Sequence, residues 1–190
     1  MDEMSDLEKE WLTLHIPHRL RVAIARLGRD VPLFDTQPWN PKPSSVEDRI
    51  KRRCETDAIY EGRLVATRCL IEFVGIKMDR SGRPCEKCHD DRDLRMCDIR
   101  LNPKPKLIGP DDPNADNLAK VWKGCSQACV HAGNGGPQKY RVEEDDLAAA
   151  LRIIIPHLDE ELYKARGLNI REYVWALPPC SECKEDAIRR

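Results

Sequence analysis

Two short cysteine motifs are the clearest candidates for chemistry in this sequence. In each motif, two cysteines lie three positions apart and close to prolines: Cys85 with Cys88, and Cys180 with Cys183. This spacing lets two thiolates bind one tetrahedral metal ion. We therefore predict a structural Zn²⁺ that is held by these four cysteines and joins the C-terminal tail to a loop in the middle of the chain.

A local zinc site is the alternative, in which Cys85 and Cys88 bind the ion with Cys97, and His89 or an outside ligand is the fourth donor. A third interpretation leaves the loop cysteines without a metal. The chain has nine cysteines, and its acidic first six residues lack the apolar core of a secretory signal. We therefore expect a cytoplasmic, reducing location, where cysteine pairs bind metals in preference to forming disulfides.

A short basic run is the candidate for nucleic-acid binding. Its members have side chains that can contact phosphates: Arg49, Lys51, Arg52 and Arg53. The net charge of the chain is -1, which excludes a uniformly basic nucleic-acid binder, so a contact with RNA must be local. The alternative is a solvated helix face on which these cations pair with acidic neighbours: Glu47, Asp48 and Glu55.

These candidates lie on or between amphipathic helices. Apolar residues recur at helical spacing in four long stretches and one short one, which predicts an all-α fold. The predicted helices cover about 5–28, 44–78, 115–132 and 143–166, and a short last helix begins near residue 169. Pro17 should interrupt the first helix, and Pro156 should kink the fourth.

The ends of the helices carry recognisable signals. Ser5 with Glu8, and Ser44 with Glu47, form capping boxes that predict where the first two helices begin. Gly75 or the stretch 79–82 should end the second helix. Gly167 has the position of a C-terminal cap for the fourth helix.

The apolar stripes of these helices predict the core. Leu7, Trp11 and Leu14 form the stripe of the first helix, and three tryptophans are expected to be large anchors: Trp11, Trp122 and Trp175. Cysteines on helix faces are expected to be small buried side chains: Cys54, Cys69, Cys125 and Cys129.

We predict a single helical domain over residues 1–190, in which an up-down four-helix bundle carries a cysteine- and proline-rich insertion at 80–113. A short C-terminal helix and the second cysteine motif follow at 168–190. No stretch of the sequence approaches the roughly 18 apolar residues that a membrane-spanning helix needs, so we expect no membrane association.

Three of the predicted helices resemble those of the HEPN superfamily. Residues 61–73, EGRLVATRCLIEF, resemble its long second helix, and residues 122–132 look like its third helix with His131 at the end. Residues 143–166 would be the fourth helix. The resemblance implies an up-down four-helix bundle, commonly a dimer, with RNA-directed roles in host defence, stress or toxin–antitoxin systems.

Active ribonucleases of this superfamily carry the motif Arg-x4–6-His, whose cation binds the scissile phosphate while the imidazole transfers a proton. Before His131, the positions with this spacing hold no arginine. Arg83 with His89, and Arg152 with His157, match the spacing, but about as many matches arise by chance in a chain of this composition. The motif therefore gives no support to a catalytic site.

From these features we expect a non-catalytic, HEPN-like binding protein that is stabilised by zinc, with RNA or a second copy of the chain as its partner. The alternative is a ribonuclease, acting as a toxin or defence effector, that uses His131 or His157 with nearby arginines. A zinc-stabilised accessory protein of a virus or mobile element is compatible with the same features.

Overall fold

Helices form almost all of the regular structure, as the periodicity predicts. A computed structural model describes residues 4–27, 45–79, 83–85, 95–99, 104–130 and 142–176. Those ranges contain no β-strand, and one isolated antiparallel bridge pairs Met78 with Pro84. No helix within them combines the length and the apolar character needed to cross a bilayer. The predicted all-α class is confirmed.

The first helical segment has three consecutive parts. Helix α1 (Asp6–Glu10) continues through a π-helical stretch (Trp11–His15) into α2 (Ile16–Ile24). The predicted capping box is present, because the Glu8 amide donates to the Ser5 hydroxyl at 3.3 Å and the Ser5 amide donates to the Glu8 carboxylate at 2.7 Å. These bonds satisfy amides that the first turn of a helix otherwise leaves without partners.

Pro17 does not interrupt this segment, so that prediction is wrong. The chain widens into a π-helical turn before the proline, and α2 starts immediately, with Pro17 in its first turn, where no amide hydrogen is required. The hydroxyl of Tyr163 donates to the carbonyl oxygen of Leu12 at 2.8 Å. This bond gives a carbonyl inside the π-helical stretch a partner from elsewhere in the fold.

The second predicted helix is confirmed as α3 (Val46–Phe73), 28 residues long. The turn that follows the helix contains Gly75, whose φ of 114° is a conformation that favours glycine. A Cβ atom at this position would lie 3.0 Å from the Cβ of Leu107. The absent side chain therefore also lets the segment after α3 pass close to the loop before α4, where the Ile108 amide donates to the Val74 carbonyl at 2.9 Å.

The remaining helices lie close to their predicted positions. They are α4 (Ala115–Val130), α5 (Glu144–Leu158) and α6 (Ile170–Ala176). Helix α5 continues past Pro156 and changes into a second π-helical stretch (Asp159–Tyr163).

Two short 3₁₀ turns complete the described elements. One covers Met96–Asp98, inside the predicted insertion, and the other covers Lys164–Arg166. Gly167 follows the second turn with a φ of 69°, so it has the left-handed conformation expected of a C-terminal cap.

Helix α3 is the common packing partner of α2, α4 and α5. The indole of Trp11 stacks on the ring of Phe73, with centroids 5.3 Å apart. Val22 lies beside Gly62, where an added Cβ would be 3.5 Å from the Val22 Cγ1. Because the residue numbers rise along the first segment as they fall along α3, the two run antiparallel.

The buried face of the first segment is Leu12, Ile16 and Leu20, each at most 1% exposed. The predicted stripe is wrong, because Leu7 is 48% exposed and Leu14 is 46% exposed. A π-helical turn contains more residues than an α-helical turn, so a 3.6-residue period does not continue through it.

The tryptophan and cysteine predictions have mixed outcomes. Trp11 and Trp122 are partly buried against the core, while the side chain of Trp175 lies outside the described residues. Cys125 is buried as predicted and Cys69 is partly buried. Cys54 is exposed, so the prediction that it is a core residue is wrong. The first half of α3, where it lies, extends beyond the end of α2. The Cys129 side chain also lies outside the described residues.

Candidate functional site

The predicted nucleic-acid site lies on the exposed amino-terminal half of α3, residues 46–59, which we call the basic segment. None of the described side chains in this segment is buried. Arg49, Lys51 and Arg53 are all exposed, whereas the side chain of Arg52 is outside the described residues. The predicted cluster is therefore accessible at the three positions that the structure describes.

The three described cations of the basic segment are weakly paired or have no described ion-pair partner. The Nε atom of Arg53 lies 4.0 Å from a carboxylate oxygen of Asp57, and both side chains are largely exposed. Arg49 and Lys51 form no side-chain ion pair with any described residue. An exposed ion pair at this distance contributes little stability, so these cations can bind another anion at small cost.

Helix geometry divides these cations between two sides of α3. At about 100° per residue, the positions of Arg49, Arg52 and Arg53 lie within an arc of about 100°, and Lys51 lies on the other side. Four acidic residues share the segment and equal its four cations in number: Glu47, Asp48, Glu55 and Asp57. The arrangement suits a few phosphate contacts along one helix face and does not suit a broad electropositive surface.

Two of the predicted zinc ligands lie within the described residues, Cys85 and Cys97, and both are partly buried. Cys85 lies beside Lys77: the Cys85 amide donates to the Lys77 carbonyl at 2.8 Å, and the Asp79 amide donates to the Arg83 carbonyl at 2.9 Å. The other predicted ligands lie outside the described residues: Cys88, Cys180 and Cys183.

The surroundings of Cys97 favour its neutral thiol. Its sulfur lies 3.7 Å from a carboxylate oxygen of Asp98. Burial, and then the negative charge of Asp98, raise the pKa of Cys97 above its usual value. Zinc binds the thiolate, so binding here would release a proton. Across the described ranges, no three His, Cys, Asp or Glu side chains come together as a metal-binding group.

The candidate catalytic histidines have different outcomes. His157 lies on α5, where its Nε2 atom is 2.7 Å from the carbonyl oxygen of Lys106. Because a carbonyl oxygen only accepts hydrogen bonds, this nitrogen carries the hydrogen. The bond connects the loop before α4 to α5. His131 lies outside the described residues.

The π-helical stretch carries a polar and aromatic group that we call the His15 cluster. The Nε2 atom of His15 lies 2.9 Å from a carboxylate oxygen of Glu10. The guanidinium of Arg19 lies 5.3 Å from the centroid of the Trp11 ring, and the His15 ring is 4.9 Å from the same ring. An imidazole held by a carboxylate beside a cation can exchange protons and bind anions.

No sequence motif identifies the His15 cluster. Glu10 and His15 are five residues apart, a spacing that places two side chains about 140° apart on a regular α-helix. The wider π-helical turn brings them to one side. Pro17 is the one signal in the sequence, because a proline inside a helical pattern requires a local change of geometry.

A buried arginine joins three elements near the middle of α3. Arg63 is 5% exposed and donates to the Glu144 carboxylate from two nitrogens, each at 3.1 Å. It also donates to the Arg26 carbonyl at 3.3 Å, and Arg26 has a φ of 52°. The Tyr60 hydroxyl donates to the Val142 carbonyl at 2.7 Å close by. These bonds fix the end of α2 and the start of α5 to α3.

Comparison of this chain with protein-family models, with curated proteins and with solved structures finds no match.

Proposed function

We propose that the protein is a non-catalytic helical binding protein of HEPN-like type that contacts RNA through the basic segment of α3. The observation that carries this proposal is the exposure of Arg49, Lys51 and Arg53 on a helix that extends beyond the packed core. Two of these cations have no described ion-pair partner. Phosphate oxygens are the ligands that such unpaired, exposed cations prefer in RNA.

The environment of His157 supports the non-catalytic form of this proposal over the ribonuclease alternative. Its Nε2 atom donates to the Lys106 carbonyl, so the ring has a structural contact and only its Nδ1 atom could transfer a proton. The ribonuclease alternative would then depend on His131 and a nearby arginine.

Zinc is the proposed structural cofactor. Cys85 and Cys97 are free thiols in the described part of the chain, and two C-x-x-C motifs supply enough further donors for a tetrahedral site. The zinc would stabilise the fold and take no part in chemistry. We further propose an up-down order for the first segment, α3, α4 and α5, and a reducing compartment that keeps the thiols available.

RNA affinity of matched charge variants tests the function. The triple variant R49Q/K51Q/R53Q removes the three described cations of the basic segment, and K9Q/K123Q/R171Q removes three exposed cations elsewhere. By fluorescence anisotropy with a labelled single-stranded RNA, the first should bind at least about 10-fold more weakly, and the second should differ by less than about 3-fold. Equal losses in both variants would contradict the proposal.

A further inference from the structure

Two polar atoms in the packed part of α3 have no hydrogen-bond partner among the described residues. They are the Nε atom of Arg63, a residue that is 5% exposed, and the hydroxyl oxygen of Thr67, a residue that is fully buried. Buried polar groups are normally hydrogen-bonded, since a polar group that leaves water without gaining a partner destabilises the fold. Two such atoms on one helix indicate a partner that they share.

Helix geometry brings these two side chains together. Thr67 follows Arg63 by four residues, so the two positions are about 40° apart around α3 and about one turn apart along it. Side chains with this spacing have Cβ atoms about 5–6 Å apart. The Cα–Cβ bonds of a helix tilt toward its amino terminus, so the Thr67 side chain leans toward the turn that contains Arg63.

The other contacts of Arg63 do not use its Nε hydrogen. The two terminal nitrogens, Nη1 and Nη2, both donate to one carboxylate oxygen of Glu144, each at 3.1 Å. Nη1 also donates to the Arg26 carbonyl at 3.3 Å. In the planar guanidinium, the Nε hydrogen lies on a side edge, away from Nη1. It therefore needs an acceptor of its own.

We propose that one buried water molecule binds between Arg63 and Thr67. The water accepts a hydrogen bond from Arg63 Nε and forms a second one with the Thr67 hydroxyl. Two atoms that each bond the same water at about 2.8 Å can be up to about 5.5 Å apart, which suits side chains on neighbouring turns. Glu144 offers a third partner, because both Arg63 nitrogens use its Oε1 atom and leave Oε2 with no partner among the described residues. About three hydrogen bonds are typical of a buried water.

Water suits this site better than an ion or a local hydrogen bond. Glu144 already balances the charge of Arg63, so an anion would add an unpaired charge, and a cation would meet the guanidinium. The Thr67 hydroxyl could instead donate to the Arg63 carbonyl, as threonines in helices do. That bond would leave Arg63 Nε without a partner, whereas one water satisfies both groups.

The proposed water completes a buried polar junction between three helices. Arg63 of α3 connects Arg26, just after α2, with Glu144 at the start of α5. Arg26 has a φ of 52°, a conformation that a non-glycine residue keeps only where surrounding contacts hold it. By fixing the Arg63 side chain, the water helps to hold the chain in this conformation where it leaves α2.

Magnetic relaxation dispersion of the water oxygen tests the site in the full chain, because it counts long-lived internal waters. T67V removes the hydroxyl and keeps a side chain of similar shape, while T67S keeps the hydroxyl. We expect one long-lived water fewer in T67V than in wild type, and the same number in T67S. A crystal structure of the wild type should show this water within hydrogen-bond distance of Arg63 Nε and Thr67 Oγ1.

Urea denaturation of matched variants gives a second test. T67V should lower the equilibrium constant for folding at least about 5-fold. The control T56V, at an exposed position of the same helix, should change it less than about 2-fold. In an R63M background the effect of T67V should also be less than about 2-fold, because the Nε donor is already absent.

Three results would overturn this inference. The first is an equal number of long-lived waters in wild type and T67V. The second is a wild-type crystal structure in which the Thr67 hydroxyl donates to the Arg63 carbonyl and no water contacts Arg63 Nε. The third is a loss of stability from T67V that is the same with and without the R63M substitution.

Discussion

At the residue scale, buried charges are fixed to specific partners, and these partners connect distant parts of the chain. Glu8 is 3% exposed, and it accepts hydrogen bonds from Ser5 and from the guanidinium of Arg166. Burial by itself raises the pKa of Glu8, but the Ser5 hydrogen bonds and the Arg166 charge outweigh it, so the pKa lies below its usual value of 4.5. The ionised form is therefore stabilised in the folded protein.

The Glu8 carboxylate should make stability depend on pH in the acid range. Because its pKa is lower in the folded state, its contribution is fully present above pH 4.5 and is lost as pH falls through the folded-state pKa. We expect E8Q to be less stable than wild type in urea at pH 7. The difference should shrink when the two proteins are compared near pH 3. A difference that stays constant between these two pH values would contradict this account.

The sequence predicts some residue roles and leaves others hidden. The Ser5 capping box is predictable because its three-residue spacing is local and its geometry is that of a helix start. The Arg63–Glu144 pair is not predictable, because its members are 81 residues apart and meet only when α3 and α5 pack together. Nothing in the local sequence distinguishes Arg63 from the many surface arginines of the chain.

At the element scale, the two π-helical stretches explain the main differences between prediction and structure. The stretch Trp11–His15 lies before Pro17 and the stretch Asp159–Tyr163 lies just after Pro156. Helical periodicity correctly predicts where the helices are, because it depends on many residues. It fails for the orientation of Leu7 and Leu14, because a widened π-helical turn rotates the side chains before it relative to the side chains after it.

Tyr163 connects these two stretches, and its removal should weaken the fold. Its ring is fully buried, its hydroxyl donates to the Leu12 carbonyl, and burial raises its pKa far above the usual value, so it is a neutral donor. We expect Y163F to lower the free energy of unfolding by about 1 to 2 kcal/mol, because the buried carbonyl loses its partner. Urea denaturation measures this change.

The neighbouring Tyr173 is the matched control for this substitution. It is partly exposed, and its ring lies 6.0 Å from that of Tyr163, centroid to centroid. Y173F should change the free energy of unfolding by less than about 0.5 kcal/mol. Equal effects of the two substitutions would show that the Tyr163–Leu12 hydrogen bond does not hold the π-helical stretches together.

At the scale of the whole molecule, the all-α class and the order of the helices are predictable from the sequence. Their ends are marked by strong local signals, such as Gly75 and Gly167. The relative placement of the cysteines is not predictable, because it depends on loops whose length and composition allow many paths. The same reason leaves several alternative ligand sets for zinc open from the sequence.

Zinc content is a property of the whole chain, because the proposed ligands come from its middle and its end. Elemental analysis of protein purified without added metal should find about one zinc per chain, held by four donors. C85S should lower both the zinc content and the melting temperature, because metal binding to the folded chain stabilises it. Zinc below about a tenth of an equivalent, with unchanged folding of C85S, would contradict a structural zinc site.

The salt dependence of RNA binding tests the central claim most directly, because it counts the phosphate contacts made by the basic segment. The logarithm of the binding constant should fall linearly with the logarithm of salt concentration, by about 0.7 for each contact with single-stranded RNA. We predict binding at low salt, with a slope about 1.4 units shallower for R49Q/K51Q/R53Q than for wild type, because Arg49 and Arg53 lie on the contact face. No binding at low salt, or the same slope for both proteins, would contradict a role for this helix in RNA recognition.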